Sequence, residues 1–137
     1  MNKIKTPATL ENLEKLMAFI TNFIDQQGEV DKRKKTIELA CEEALVNIFT
    51  YAYPAATPGN IEVQCQVNEK GDIIIDIVDS GKPFDLNKLP DFDMTSDISE
   101  RRIGGMGSVL IKKFVDEIDY RRDQDKNFLT FKFNKQS

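Results

Sequence analysis

Residues 61 to 78 constrain the fold more than any other stretch of this chain. Ile61, Val63, Cys65 and Val67 alternate with polar residues, Asn68-Glu69-Lys70-Gly71 supplies turn chemistry, and Ile73 to Val78 returns as a more deeply apolar strand. Period-two alternation, a turn and a second extended run read as an antiparallel hairpin. A second hairpin is predicted from Glu117–Arg122 and Phe128–Phe133, joined across Asp123-Gln-Asp-Lys-Asn127. Two hairpins in so short a chain argue against a doubly wound parallel sheet. The predicted class is α+β: a mostly antiparallel sheet with three main helices on one face, forming a single domain over residues 1–137.

The helices follow from the other periodicity. After a short strand near Lys3–Thr6, Thr9 is placed to cap a helix carrying Leu10, Leu13, Met17, Ile20 and Ile24, which Gly28 ends. Asp31 can cap a second helix, in which Ile37, Ala40, Cys41, Ala44, Leu45, Ile48 and Ala52 recur at three- and four-residue spacing. A third runs from about Gly107 through Leu110, Ile111, Phe114 and Val115. Between Asp79 and that helix lies a Pro-containing, acid-rich stretch of the kind compact domains keep for function, read as a lid.

Composition narrows the chemistry. With 40% hydrophobic and 31% charged residues, 137 residues suffice for one core. There is no histidine, which removes His-ligated zinc and Ser-His catalysis, and the net charge of −4 disfavours a general nucleic-acid binder. The N-terminal residues lack an apolar signal region, and no run approaches the roughly 20 apolar residues of a membrane span, so the expectation is cytoplasmic with no membrane partner. Cys41 and Cys65 fall at inward positions and read as reduced core thiols. The Lys32-Arg33-Lys34-Lys35 run opposes the dipole of the second helix by about 0.3–1 kcal/mol per charge at most. It reads as a tolerated surface, with docking of an acidic partner as the other reading.

Three segments carry the candidate chemistry. Glu43 and Asn47 lie one turn apart on the same flank of the second helix, where an amide oxygen suits Mg2+ and a carboxylate can serve as a base. Asp79 shares strand parity with Ile73, Ile75 and Ile77, so its carboxylate ends a core-facing row. Burial there calls for a partner, such as the exocyclic amine of adenine, and Gly81 permits close approach of the ring. Gly104, Gly105 and Gly107 precede a helix whose free N–H groups suit phosphate, and Arg101 and Arg102 are candidates for phosphate or a protein substrate.

Glu43-x-x-x-Asn47, Asp79-x-Gly81 and Gly104-Gly105-x-Gly107 occur in the order of the N, G1 and G2 boxes of the GHKL ATPases. The chain more closely resembles the anti-sigma factor serine/threonine kinases of the RsbW and SpoIIAB type, in Cys41-Glu-Glu-Ala-Leu-Val-Asn47, Asp79-Ser-Gly-Lys-Pro-Phe-Asp85, Gly104 to Ile118 and Asn127-Phe-Leu-Thr130. The resemblance implies a two-layer Bergerat-type sandwich that binds ATP or ADP with Mg2+. It implies Glu43 as general base and Asn47 as metal ligand. The implied nucleotide set is Asn47, Asp79, Gly81, Phe84, Arg101, Gly104, Gly105, Met106, Gly107, Ser108 and Thr130. It further implies phosphorylation of a STAS-domain anti-anti-sigma partner, sequestration of a sigma factor, and a homodimer. The alternative is a nucleotide-responsive module that binds a regulator without phosphorylating it. Pro83 and Tyr51 depart from the wider pattern, which often has a glycine and a histidine at those places.

Overall fold

The computed structural model describes residues 2–27, 33–49, 59–81 and 111–135. Asp31, Gly28, Ala52, Tyr51 and the stretch read as a lid lie outside the described residues.

The strands are β1 (Lys3–Pro7), β2 (Asn60–Val67), β3 (Ile73–Asp79), β4 (Glu117–Asp123) and β5 (Lys126–Phe133). They form one sheet in the order β1-β2-β3-β5-β4, with every neighbouring pair antiparallel. The α+β class and the antiparallel sheet are as expected from the hairpins. In the β2–β3 turn, Asn68 Oδ1 accepts the N–H groups of Lys70 (2.9 Å) and Asp72 (3.0 Å), while Gly71 takes φ +87°. An L side chain rarely adopts that φ.

Alternation places Ile61, Val63 and Cys65, then Ile73, Ile75 and Ile77, then Leu129, Phe131 and Phe133 on one buried face. Two helices share the core with that face: α1 (Leu13–Asp25) and α2 (Lys34–Asn47). Each fully buried aliphatic or aromatic side chain in this layer contributes about 1.5–3 kcal/mol. Residues 111–114 are helical, and Ile111 and Val115 join the same core. The two cysteines are free and buried in it, and burial pushes the Cys65 thiol up to about 12.

The helical details differ from the expectation in instructive ways. Thr9 makes no side-chain cap; it precedes a single 3-10 turn, Leu10–Asn12, and its Oγ1 accepts from Asn12 Nδ2 at 2.9 Å. The buried stripe of α1 is Leu16, Ile20, Phe23 and Ile24, whereas Leu10 is 66% exposed. Starting the helix at Leu13 removes Leu10 from its periodicity. On α2 the expected stripe through Ile48 is buried. The basic run is partly structural: Lys34 pairs with Asp25 at 2.9 Å, and Arg33 Nη1 donates to the carbonyls of Gly71 (3.1 Å) and Phe133 (3.0 Å).

Candidate nucleotide site

β3 delivers Asp79 to the site. It is the last residue of the inward row and only 3% exposed. An unpartnered carboxylate there would be costly, and two donors meet it. The Gly81 N–H donates to Asp79 Oδ1 at 2.9 Å, folding the Asp79-Ser80-Gly81 turn back on the strand. From β5, Asn127 Nδ2 donates to the same Oδ1 at 2.8 Å, as the Asp79↔Asn127 register dictates. Burial nevertheless raises the Asp79 carboxyl above the usual aspartate range, against the opposing effects of Asn127, the Gly81 N–H and the Arg122 charge.

Asn127 is itself held. Its Oδ1 accepts from Tyr120 Oη at 2.5 Å and from Arg122 Nη1 at 3.1 Å, and the same Arg122 nitrogen donates to the Gly81 carbonyl at 2.6 Å. Asn127 is 2% exposed, and Gly81 is buried beside it.

α2 carries the other pair of candidate groups, Glu43 and Asn47. Its N-terminal anchor, Arg33, grips the sheet at the Gly71 and Phe133 end, where β3 begins. A helix of this length and β3 both extend about 20 Å. The last turn of α2 lies a helix's length from that anchor. Asn47 closes that turn at 4% exposure, and its Nδ2 has no hydrogen-bond partner among the described residues. An orphaned buried amide costs about 1–3 kcal/mol. A half-turn about its terminal torsion exchanges nitrogen for oxygen, so either end can meet a ligand. One turn earlier Glu43 is half-buried, as its place on the flank of Asn47 predicts, while Glu42 is exposed. Burial first, and the Glu42 charge second, raise the Glu43 carboxyl.

Of the residues expected at the site, Asp79 and Gly81 come together, and Glu43 and Asn47 stand together at the C-terminal end of α2. Thr130 does not join them. It lies on the outer face of the sheet, where its hydroxyl donates to Asp76 Oδ1 at 2.6 Å. Strand parity decides this, since residues one register step from an inward-facing Leu129 or Phe131 must face out. Phe84, Arg101, Gly104, Gly105, Met106, Gly107 and Ser108 lie outside the described residues.

Sequence reasoning passed over Asn127, Arg122 and Tyr120 as site residues. The last hairpin was expected to turn across five residues, with Asn127 at the end of the loop. It closes instead through Gln124 and Asp125, both at positive φ (50° and 64°), so Asn127 is a strand residue opposite Arg122. Such a two-residue turn is the favoured hairpin form, and its Asp-containing sequence was the available signal.

Among the described residues no group of three or more His, Cys, Asp or Glu side chains is arranged to hold a metal. A divalent ion here would take the Asn47 amide oxygen and otherwise oxygens of its ligand, as Mg2+ does beside phosphates. The orphaned Asn47 amide fits that role.

An antiparallel sheet with helices on one face, a buried aspartate ending a central strand and, on a helix of the same core, an asparagine whose amide nitrogen has no partner among the described residues are the frame of a nucleotide-binding ATPase domain. Residues 6–133 match the histidine kinase-like ATPase domain family, and the chain belongs to it. Within that family it is 26% identical over 101 residues to the serine-protein kinase RsbW of Listeria monocytogenes, covering 71% of this chain and 64% of that protein. It is 25% identical over 95 residues to the serine/threonine-protein kinase BtrW of Bordetella bronchiseptica, covering 69% of this chain and 66% of that protein. Among solved structures, the histidine kinase domain of the Erythrobacter litoralis EL346 blue-light activated kinase superposes with TM-score 0.56 at 16% identity, over 90% of this chain and 59% of that one. Histidine kinase AdeS of Acinetobacter baumannii gives 0.54 at 14%, over 98% and 68%. The structural likenesses bear on the fold alone.

Proposed function

We propose that this protein is an anti-sigma-type regulator that binds ATP and transfers its γ-phosphate to a serine or threonine of a STAS-domain partner, holding a sigma factor when the partner is absent. The buried Asp79 carboxylate carries the reading: both donors from the described residues reach one oxygen, leaving the other for the exocyclic amine of adenine. The similarity to RsbW and BtrW supports the kinase activity.

In this reading Asp79 orients the base and the Gly81 backbone lies against it. Mg2+, held through Asn47, neutralises phosphate charge when bound. Glu43 takes the proton of the acceptor hydroxyl, whose oxygen bonds to the γ-phosphorus as the bond to the ADP oxygen breaks. A carboxyl raised by burial is the stronger base. Gly104, Gly105, Met106, Gly107 and Ser108 cradle phosphate, Arg101 contacts it, and Phe84 borders the nucleotide. The protein works as a homodimer in the cytoplasm.

Thermal unfolding of the wild type and Asp79→Asn with and without Mg-ATP tests the site. A wild-type shift that the variant loses supports it, and no shift in either overturns it. Labelled ATP with a STAS-domain acceptor then tests transfer. Stable complexes without phosphate incorporation would make the protein a nucleotide-responsive binding module instead.

A further inference from the structure

The amide of Asn127 can stand only one way round. Arg122 has donors and no acceptor, and its Nη1 lies 3.1 Å from Asn127 Oδ1. Tyr120 Oη reaches the same oxygen at 2.5 Å. The carbonyl end of Asn127 is thus committed to β4, and its NH2 must face Asp79, to which it donates at 2.8 Å. The Gly81 N–H, 2.9 Å from Asp79 Oδ1, completes the occupation of that oxygen. Arg122 also ties the Gly81 carbonyl at 2.6 Å, so one guanidinium sets both donors.

We propose that Asn127, locked by Arg122 and Tyr120, is a positioning residue that sets base selectivity by reserving Asp79 Oδ2 for a base N–H. This rests on the reading of Asp79 as the adenine-binding group. A 6-amino purine offers the matching donor. A 6-oxo purine offers a carbonyl, and acceptor then faces acceptor, which a site built for a hydrogen bond rejects strongly.

The lock gives Asp79→Asn a signature that simple loss of a carboxylate would not produce. Asn127 and Gly81 would hold the new amide by its oxygen, turning its NH2 toward the base, so preference should pass from ATP to ITP. The experiment is a titration of the full chain with Mg-ATP and Mg-ITP, read by calorimetry. The wild type should prefer ATP by about tenfold or more, roughly the effect of one hydrogen bond to a charged group, and Asp79→Asn should prefer ITP. The preference should collapse in Asn127→Leu and in the double variant Arg122→Met with Tyr120→Phe, while Arg122→Lys, which keeps a donor-only cation, should restore it. Should Asn127→Leu fail to fold, the Arg122 variants decide, because that side chain is at the protein surface. An unchanged ATP-to-ITP ratio in the Arg122 variants, with ATP binding lost in Asp79→Asn without a gain in ITP binding, overturns the positioning role and leaves the adenine site standing. Wild-type protein that binds neither nucleotide overturns both.

Discussion

Two buried aspartates bracket β3, and their surroundings differ in kind. Asp72, 6% exposed, precedes the strand; Asp79, 3% exposed, ends it. Asp72 Oδ1 accepts the Lys135 N–H at 2.8 Å, its Oδ2 accepts from Asn68 Nδ2 at 3.1 Å, and Lys132 Nζ stands 3.7 Å away. The Lys135 N–H, then the Asn68 amide, lower its carboxyl below the ordinary range. Burial raises that of Asp79, whose donors crowd one oxygen. At the first end the chain satisfies its own charge on both oxygens. At the second it leaves an acceptor and, on α2, an orphaned amide. Similar burial with opposite electrostatics separates a structural staple from the end proposed to take the nucleotide.

The largest expected effect tests the chemistry at the second end. Glu43→Gln should lower phosphoryl transfer by about 10²–10⁴-fold with ATP binding retained. Because burial raises the wild-type Glu43 carboxyl, the rate should climb with pH as that group ionises and fall as pH drops through it. A pH–rate profile of single-turnover transfer checks both.

Next come the paired aspartates. Asp79→Asn should abolish ATP-dependent stabilisation, about 2.7 kcal/mol at a hundredfold excess over Kd. The same variant should raise the stability of the nucleotide-free protein near neutral pH, since a group with a raised folded pKa loses stability as pH rises through it. Asp72→Asn should do the reverse, destabilising the fold and leaving nucleotide binding intact. A lowered carboxyl adds stability above the unfolded pKa and loses it as pH falls through the folded value. Urea titrations of both variants with and without Mg-ATP give the signs; two variants of the same sign would break the comparison.

Arg33→Met removes the charge-assisted bonds to the Gly71 and Phe133 carbonyls at the structural end. It should cost about 2 kcal/mol of stability, readable as a lowered urea midpoint, with little change in ATP affinity. Smaller still is Gly71→Ala, at about 1–2 kcal/mol for the left-handed backbone. The added Cβ would stand 2.6 Å from Lys135 Cδ, a flexible chain that can move aside. Retention of ATP binding by both variants would sharpen the division between the two ends.

Much of this was legible from local pattern. The parity of Ile73, Ile75, Ile77 and Asp79 predicted a buried carboxylate, and helical spacing set Glu43 and Asn47 on one flank of α2. Other features depended on geometry that periodicity does not carry. Thr130 is adjacent in sequence to an inward residue and therefore faces out. Leu10 lies in a 3-10 turn outside the stripe of α1. Arg33 reads as one charge in a basic run until it is seen to bind carbonyls from two distant segments.

By itself the sequence determined the alternation that makes the sheet antiparallel, the spacing that gives α2 its buried face, and the motifs that place the chain among the histidine kinase-like ATPase domains. These are local, encoded within one strand or a few helical turns. Only the tertiary structure decided that a two-residue turn brings Asn127 opposite both Arg122 and Asp79. Hydrogen bonds between strands depend on register, and register is set where separate segments meet.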